Sequence, residues 1–129
     1  MEIVMENPVT LAWMGDALYS TKVRKHILDA GVRKADQLQK KAAKFCSAVG
    51  QAIVLDELLE KEMLDEDEKE IVRRGRNAHV KTSAKNTDLK TYLKATGLEA
   101  LFGYLYLYHH EERMETLLQT CMELGDALL

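Results

Sequence analysis

The sequence predicts a single all-α domain of about six to seven helices. Apolar residues recur at helical spacing along most of the 129 residues, and no run alternates between apolar and polar residues as a strand would. The only proline, Pro8, follows Asn7 and so suits the first turn of a helix. The hydrophobic content of 47% is that of an ordinary globular protein, and the chain is long enough to bury a core.

The first half of the chain contains three predicted helices, each marked by a residue that favours a helix end. Asn7 is a good N-cap for a helix over residues 8–30, which Gly31 would end. Asp36 is the expected N-cap of a second helix, and Ser47 of a third. The third helix is expected to turn these apolar residues inward: Val49, Ala52, Ile53, Leu55 and Leu58.

The second half contains a capping-box pattern, a basic loop and three further predicted helices. The acid-rich start of residues 65–77 predicts a helix over that range. Residues 78–87 lack apolar periodicity and are expected to form a loop. A short helix is expected from Asp88, and a nearly continuous apolar helix over residues 98–108. The last helix, over residues 111–129, is expected to turn Met114, Leu117, Leu118, Cys121, Met122 and Leu124 inward.

The charges are segregated along the chain, although the net charge is only −3. Residues 56–70 contain nine acids and two bases, whereas residues 73–94 contain seven bases and one acid. A basic block in an acidic protein favours a local surface for anions such as nucleic-acid phosphates. The alternative is a solvated surface with no partner.

Three arginines at the start of the basic block surround one glycine. The guanidinium groups of Arg73, Arg74 and Arg76 suit phosphate oxygens, and Gly75 would let the backbone approach a neighbour closely or end the helix. The alternative is that these cations complement the negative end of a helix dipole.

The sequence also favours a cytoplasmic protein. No run approaches the roughly 18 apolar residues of a membrane span. The first residues lack the basic start and apolar core of a signal peptide. Cys46 and Cys121 are isolated thiols without metal-ligand spacing, and we expect them to be small buried residues in a reducing compartment.

Two apolar helical runs each carry a single carboxylate, Asp16 within residues 11–19 and Glu99 within residues 97–104. Neither acid shares its predicted helix face with a Lys or Arg. Because Asp and Glu are rarely buried without a partner, two lone carboxylates on core-like faces favour a hard divalent cation. The alternative is a pair of core acids bonded to the backbone or to tyrosine hydroxyl groups.

The same two runs resemble the motifs of the ribonuclease III family. Met14-Gly15-Asp16-Ala17-Leu18 is similar to the core of that family's signature, and Glu99-Ala100-Leu101-Phe102-Gly103 is similar to its second motif. Residues 45–52, 73–78 and 85–88 resemble segments of the Mini-ribonuclease III subfamily, whose members lack a double-stranded-RNA-binding domain. The resemblance covers nearly the whole chain and implies that residues 1–129 form one catalytic domain.

The resemblance implies an endoribonuclease that hydrolyses double-stranded RNA, with Asp16 and Glu99 as catalytic residues that hold Mg²⁺. The metal would activate a water, orient the phosphate and stabilise the leaving 3′-oxygen. The expected substrate is the stem at the ends of precursor 23S ribosomal RNA, and neither DNA nor a membrane is an expected partner. A homodimer is expected, with Trp13 at its interface. The expected RNA-binding residues are Arg73, Arg74, Arg76, Lys81 and Lys85.

Two positions depart from the classical ribonuclease III pattern. The classical family has a Glu at the position of Ala12 and an Asp at the position of Thr96. The Mini-ribonuclease III subfamily resembles this chain in lacking these two acids. The number of metal ions at the site is therefore left open. The missing acids also leave open a non-catalytic RNA-binding or ribosome-assembly factor on the same fold. A helical protein–protein adaptor without RNA affinity is a third alternative.

Overall fold

The described part of the chain is built from α-helices and the segments that join them. The structure is a computed structural model, which describes residues 6–78 and 88–129. These residues form no strand, which confirms the all-α prediction. The six helices are α1 (Pro8–Asp29), α2 (Ala35–Cys46), α3 (Ala48–Glu60), α4 (Glu66–Arg76), α5 (Leu89–Leu107) and α6 (Glu111–Leu128).

Several helix ends lie where their capping residues predicted. The side chain of Asn7 accepts a hydrogen bond from the Val9 amide at 2.7 Å, which caps α1. Gly31 follows that helix with a φ of 93°, a conformation that glycine adopts without strain. The hydroxyl of Ser47 accepts a hydrogen bond from the Gly50 amide at 3.1 Å, which caps α3. Local chemistry therefore fixes these boundaries.

The predicted capping box at the start of α4 is also present, and it is tied to α6. The Glu68 amide donates to Asp65 at 2.8 Å, and the Asp65 amide donates to Glu68 at 2.9 Å. The buried Glu68 carboxylate also accepts two hydrogen bonds from Arg113, at 2.8 and 2.9 Å. The guanidinium of Arg113 donates further to the Met63 carbonyl at 2.8 Å. This network compensates the burial of a charged carboxylate.

Two predicted helix boundaries were wrong. Lys34 is the N-cap of α2, and Asp36 lies inside the first turn instead of capping it. One continuous helix, α5, replaces the short helix and the apolar helix that were predicted separately. Asp88 caps it as predicted, but the helix continues through Gly97. At Gly97 the helix packs closely on α4, since a Cβ there would lie only 2.9 Å from the Val72 carbonyl oxygen.

The inward face of α3 also differs in part from the prediction. Ala52, Leu55 and Leu58 are buried as expected. Val49 and Ile53, in contrast, are 52% and 39% exposed, while Gln51 and Val54 are buried. The buried face is set by the neighbours of α3, which are α2, α5 and α6, and not by the apolar residues of α3 alone.

The core is centred on α5, which packs against α1, α3, α4 and α6. The inward face of α6 agrees with the prediction, since Met114, Leu117, Leu118, Cys121 and Met122 are buried and Leu124 is partly buried. Cys46 is only partly buried, and neither cysteine forms a disulfide. None of the described helices combines the length and the apolar character needed to cross a membrane.

The contact between α1 and α5 depends on one glycine in each helix. A Cβ at Gly15 would lie 1.7 Å from the Glu99 carbonyl oxygen, and one at Gly103 would lie 1.8 Å from the Leu11 carbonyl oxygen. A side chain larger than hydrogen at either position would overlap the partner backbone. Gly15 lies four residues after Leu11 on α1, whereas its contact Glu99 lies four residues before Gly103 on α5. The two helices therefore run antiparallel where they touch.

Replacing a glycine at this crossing should destabilise the fold. Gly103→Ala is expected to lower the free energy of unfolding by about 3 kcal/mol or more, because the methyl group must push the α1 backbone away. Urea denaturation followed by circular dichroism measures this loss. Gly97→Ala is the matched control and should cost less, since its Cβ would meet its nearest atom at 2.9 Å. Equal losses in the two variants would contradict the prediction.

Candidate active site

The crossing of α1 and α5 brings the two predicted acids together. Asp16 directly follows Gly15, and its carboxyl group is within hydrogen-bonding reach of the Glu99 carboxyl group. Asp16 is exposed, whereas Glu99 is partly buried. A hydrogen bond between two carboxyl groups requires a proton on one of them. Two segments more than eighty residues apart in sequence thus form one acidic site.

The environment of Glu99 favours its protonated form. Burial, the hydrogen bond with Asp16 and the negative charge of Asp16 raise the pKa of Glu99 to about 8. The hydrogen bond from Gln51 acts in the opposite direction. Because two carboxylates this close repel each other, the pair retains a proton when no cation is present. A bound cation would take the place of that proton.

Gln51 is a site residue that the sequence analysis missed as a functional position. It is 1% exposed, and its side-chain Nε2 lies 3.5 Å from Oε2 of Glu99. Its place in the first turn of α3 is fixed by the Ser47 cap and by Gly50. A Cβ at Gly50 would lie 2.0 Å from the Lys44 carbonyl oxygen. The available signal was a lone amide within the otherwise apolar run of residues 48–55.

The described contacts of Glu99 differ from the tyrosine bonds of the alternative interpretation. Its carboxyl group bonds Asp16 and Gln51 and no tyrosine hydroxyl among the residues that the structure describes. The two acids therefore face each other at a surface that Asp16 leaves open to solvent. This arrangement differs from that of two separate, internally satisfied core acids.

The two departures from the classical motif supply no further metal ligand. Ala12 has no side-chain oxygen and is 7% exposed. Thr96 is 6% exposed, and its hydroxyl donates to the Tyr92 carbonyl at 3.1 Å. Over residues 6–78 and 88–129, no group of three or more His, Cys, Asp or Glu residues is arranged to hold a metal ion.

The donor set therefore consists of two carboxylates, which fits a hard cation that keeps most of its water. Mg²⁺ binds in this way, through one or two carboxylates together with waters and substrate phosphates. Two carboxyl groups this close favour a positive charge between them. The residues present thus fit a divalent ion, which Asp16 and Glu99 would hold.

The basic end of α4 lies beside both helices that carry the acids. Arg73 and Arg74 line a cleft together with residues 6–9 at the start of α1. The rise of an α-helix places Asp16 about 10 Å further along α1. The Arg76 side chain packs against Gly97, two residues before Glu99. Lys81 and Lys85, the other predicted RNA-binding residues, lie outside the described part of the chain.

A carboxylate holds two of these arginines in place. Glu70 accepts hydrogen bonds from Nε and Nη2 of Arg73, both at 2.8 Å, and from Nε of Arg74 at 3.0 Å. These two guanidinium groups lower the pKa of Glu70 to about 2. The carboxylate is therefore charged at neutral pH.

Trp13 lies on the outside of α1, one turn before Asp16. Its side chain is 77% exposed, and Val9, one turn earlier, is 41% exposed. Trp13 is therefore a surface residue of the single chain and not part of its core. Large apolar side chains that are exposed together favour a contact with another molecule.

Known proteins of one family match this chain. Residues 9–110 match the model of the ribonuclease III domain. A Mini-ribonuclease 3 from Streptococcus pneumoniae is 40% identical over 123 residues, which cover 95% of this chain and 96% of the relative. A Mini-ribonuclease 3 from Staphylococcus aureus is 45% identical over 116 residues, with 90% and 87% coverage. One from Brevibacillus brevis is 47% identical over 115 residues, with 89% and 84% coverage.

A solved structure shows the same arrangement of helices. The crystal structure of a Fusobacterium nucleatum protein superimposes with a TM-score of 0.82 at 28% sequence identity. The superposition covers 95% of this chain and 96% of that protein.

The raised pKa of Glu99 predicts that the metal-free protein loses stability as pH rises. Between the ordinary value of 4.5 and about 8, the folded protein keeps a proton that the unfolded chain releases. The free energy of unfolding should therefore fall through this window, by at most about 1.4 kcal/mol per pH unit. Glu99→Gln removes this titration and serves as the reference protein.

Urea denaturation in EDTA at several pH values measures the effect. The stability of the wild type relative to Glu99→Gln should decrease steadily across the window. A difference that does not change with pH would show that Glu99 ionises as an ordinary carboxyl group.

Proposed function

This chain is a ribonuclease of the ribonuclease III family, in its Mini-ribonuclease 3 branch, and we propose that it cleaves double-stranded RNA. The proposed catalytic residues are Asp16 and Glu99, and the proposed cofactor is Mg²⁺. One observation carries the proposal: the carboxyl groups of the two family motifs meet where α1 crosses α5. The family acts on double-stranded RNA and uses divalent metal ions, which agrees with the oxygen donors at this site.

The proposed reaction is hydrolysis of a phosphodiester bond. A water oxygen bonds to phosphorus, the bond from phosphorus to the 3′-oxygen breaks, and the products carry 5′-phosphate and 3′-hydroxyl ends. When bound, Mg²⁺ supplies positive charge that lowers the pKa of water and offsets the charge that develops on the phosphate. Asp16 and Glu99 would hold it, and Gln51 would keep the Glu99 carboxylate oriented. Their shared proton must leave before the cation binds.

The proposed RNA surface is the basic end of α4 together with the segment that follows it. Arg73, Arg74 and Arg76 lie next to the helices that carry the acids, so a duplex held there reaches the site. We assign Lys81 and Lys85 to the same surface from the sequence. Proteins recognise duplex RNA by its shape, its phosphates and its 2′-hydroxyl groups, for which guanidinium and ammonium groups suffice. No residues that read bases are required.

The similarity to the Mini-ribonuclease 3 proteins supports a proposal about the substrate and the assembly. We propose that residues 1–129 act as one catalytic domain on the stem of precursor 23S ribosomal RNA. We also propose a homodimer, because two strands need two sites and a two-fold axis supplies them. The exposure of Trp13 supports its place at the dimer interface.

The first test of this function removes one charge at a time. Asp16→Asn and Glu99→Gln should abolish cleavage of duplex RNA in Mg²⁺, because an amide keeps the shape of the side chain but loses the charge that holds the ion. Both variants should keep the helical circular dichroism spectrum and should bind duplex RNA in EDTA. Calorimetric titration with Mg²⁺ should show weakened binding. Asp36→Asn, at an exposed position of α2, is the control. Wild-type cleavage by either site variant at low Mg²⁺ would refute the assignment.

The second test concerns the dimer. Trp13→Ala should raise the Kd for dimerisation by about 30-fold or more, since aromatic anchors at interface centres typically contribute about 2 kcal/mol or more. Nicked duplex should then accumulate before double-strand breaks at low protein concentration. Leu28→Ala, also exposed on α1 but near its other end, is the control. Analytical ultracentrifugation decides the matter: a wild-type monomer of 14.7 kDa at micromolar concentration would exclude the dimer.

A further inference from the structure

Glu70 accepts hydrogen bonds from the guanidinium groups with which Arg73 and Arg74 would bind RNA. The Nε and Nη2 groups of Arg73 form a two-pronged contact with the two carboxylate oxygens, and Nε of Arg74 bonds one of the same oxygens. This edge of a guanidinium group is the one that also suits two oxygens of a phosphate. The carboxylate therefore sits where a phosphate of the RNA backbone would bind.

The ion pairs of Glu70 are exposed enough to be exchanged. The side chains of Glu70 and Arg73 are 36% and 60% exposed, and that of Arg74 is 27% exposed. Ion pairs that solvent reaches contribute little to stability, so an incoming anion displaces the carboxylate at small cost. While it remains in place, Glu70 cancels one of the two positive charges that these arginines carry.

We propose that Glu70 is a specificity-determining residue, whose carboxylate competes with RNA phosphates for Arg73 and Arg74. The proposal rests on the proposed RNA-binding role of these arginines. A ligand with one phosphate replaces one anion by another and gains little. A duplex presents phosphates on both sides of a groove and contacts several cations at once. These additional contacts offset the cost of displacing the Glu70 carboxylate. Glu70 thus weakens all RNA binding but weakens that of short single strands most.

The alternative is that Glu70 only stabilises its own helix. Acids three and four residues before a base commonly do so. Under that alternative, removing the charge of Glu70 would slightly lower the stability of α4 and leave RNA affinity unchanged. A further alternative is that Glu70 orients the arginines toward RNA, in which case removing it would weaken binding. The sign of the change in affinity separates the three.

The test measures binding of fluorescently labelled RNA by anisotropy, in EDTA to prevent cleavage and at several KCl concentrations. Glu70→Gln should bind duplex RNA about three- to tenfold more tightly than the wild type, and its affinity should fall more steeply with salt, by up to about one unit of slope. Binding of a short single strand, which presents few phosphates, should strengthen by a larger factor, so that discrimination between the two RNAs decreases. Glu70→Ala should behave in the same way.

Glu66→Gln is the matched control for a general charge effect. Glu66 lies one turn earlier on α4, is 92% exposed and pairs only with Lys69 among the described residues. It should change affinity much less than Glu70→Gln. Replacing Arg73 and Arg74 with Ala should weaken duplex binding, and in that background Glu70→Gln should have no more effect than Glu66→Gln.

The outcomes distinguish this inference from the function on which it rests. If the wild type binds duplex RNA through Arg73 and Arg74 but Glu70→Gln has unchanged or weaker affinity, competition by Glu70 is refuted and the RNA surface stands. An equal gain from Glu66→Gln refutes it as well. If the two arginines can be replaced without loss of duplex affinity, the assignment of this RNA surface fails together with the role of Glu70.

Discussion

Helices α1 and α5 touch backbone to backbone, and this short distance sets the positions of the other helices and of the two acids. Gly15 and Gly103 allow each backbone to touch the other, and any larger side chain would hold the helices apart. With α1 packed so closely on one side, α5 lies at the centre of the fold, and α3, α4 and α6 cover its remaining surface. The acids of two distant segments meet only because of this contact, so the packing of the core and the chemistry of the site cannot be changed independently.

The site at this crossing is electrostatically unfavourable in the free protein. Burial and the negative charge of Asp16 both disfavour ionised Glu99, and the amide of Gln51 compensates only in part. Functional sites commonly retain such costs, because the ligand that relieves them is bound more tightly in return. A cation between two carboxylates would remove their repulsion, which supports the proposed role of Asp16 and Glu99 in holding a metal ion.

The two ends of α4 serve different purposes. At its start, Asp65, Glu68 and Arg113 form a network of hydrogen bonds that anchors the helix to α6. At its end, arginines face the cleft beside α1, and Glu70 between the two ends moderates their charge. Because acids and bases are segregated along the chain, α4 has an acidic start that is bonded to α6 and a basic end that lines the cleft.

Features that depend on local interactions or on the residues of a motif could be predicted from the sequence. Asn7 and Ser47 fix helix ends through their own side chains, and Asp16 and Glu99 stand out as lone acids in apolar runs, so both kinds of feature could be predicted. The pattern did not predict that α5 continues through Gly97, where the helix approaches α4 too closely for a side chain.

Packing between helices also determines which polar side chains contact the two acids. A buried amide in an apolar helix has no assigned partner until α3 packs against α5, and that packing turns Gln51 toward Glu99. In the same way, helical periodicity predicted an inward Val49, but the neighbours of α3 leave this residue exposed. Local propensity and pattern set where helices begin and which residues are chemically unusual, whereas contacts between distant segments set which of those residues meet. The physical reason is that capping acts within one turn of helix, while burial and pairing depend on elements that are distant in sequence.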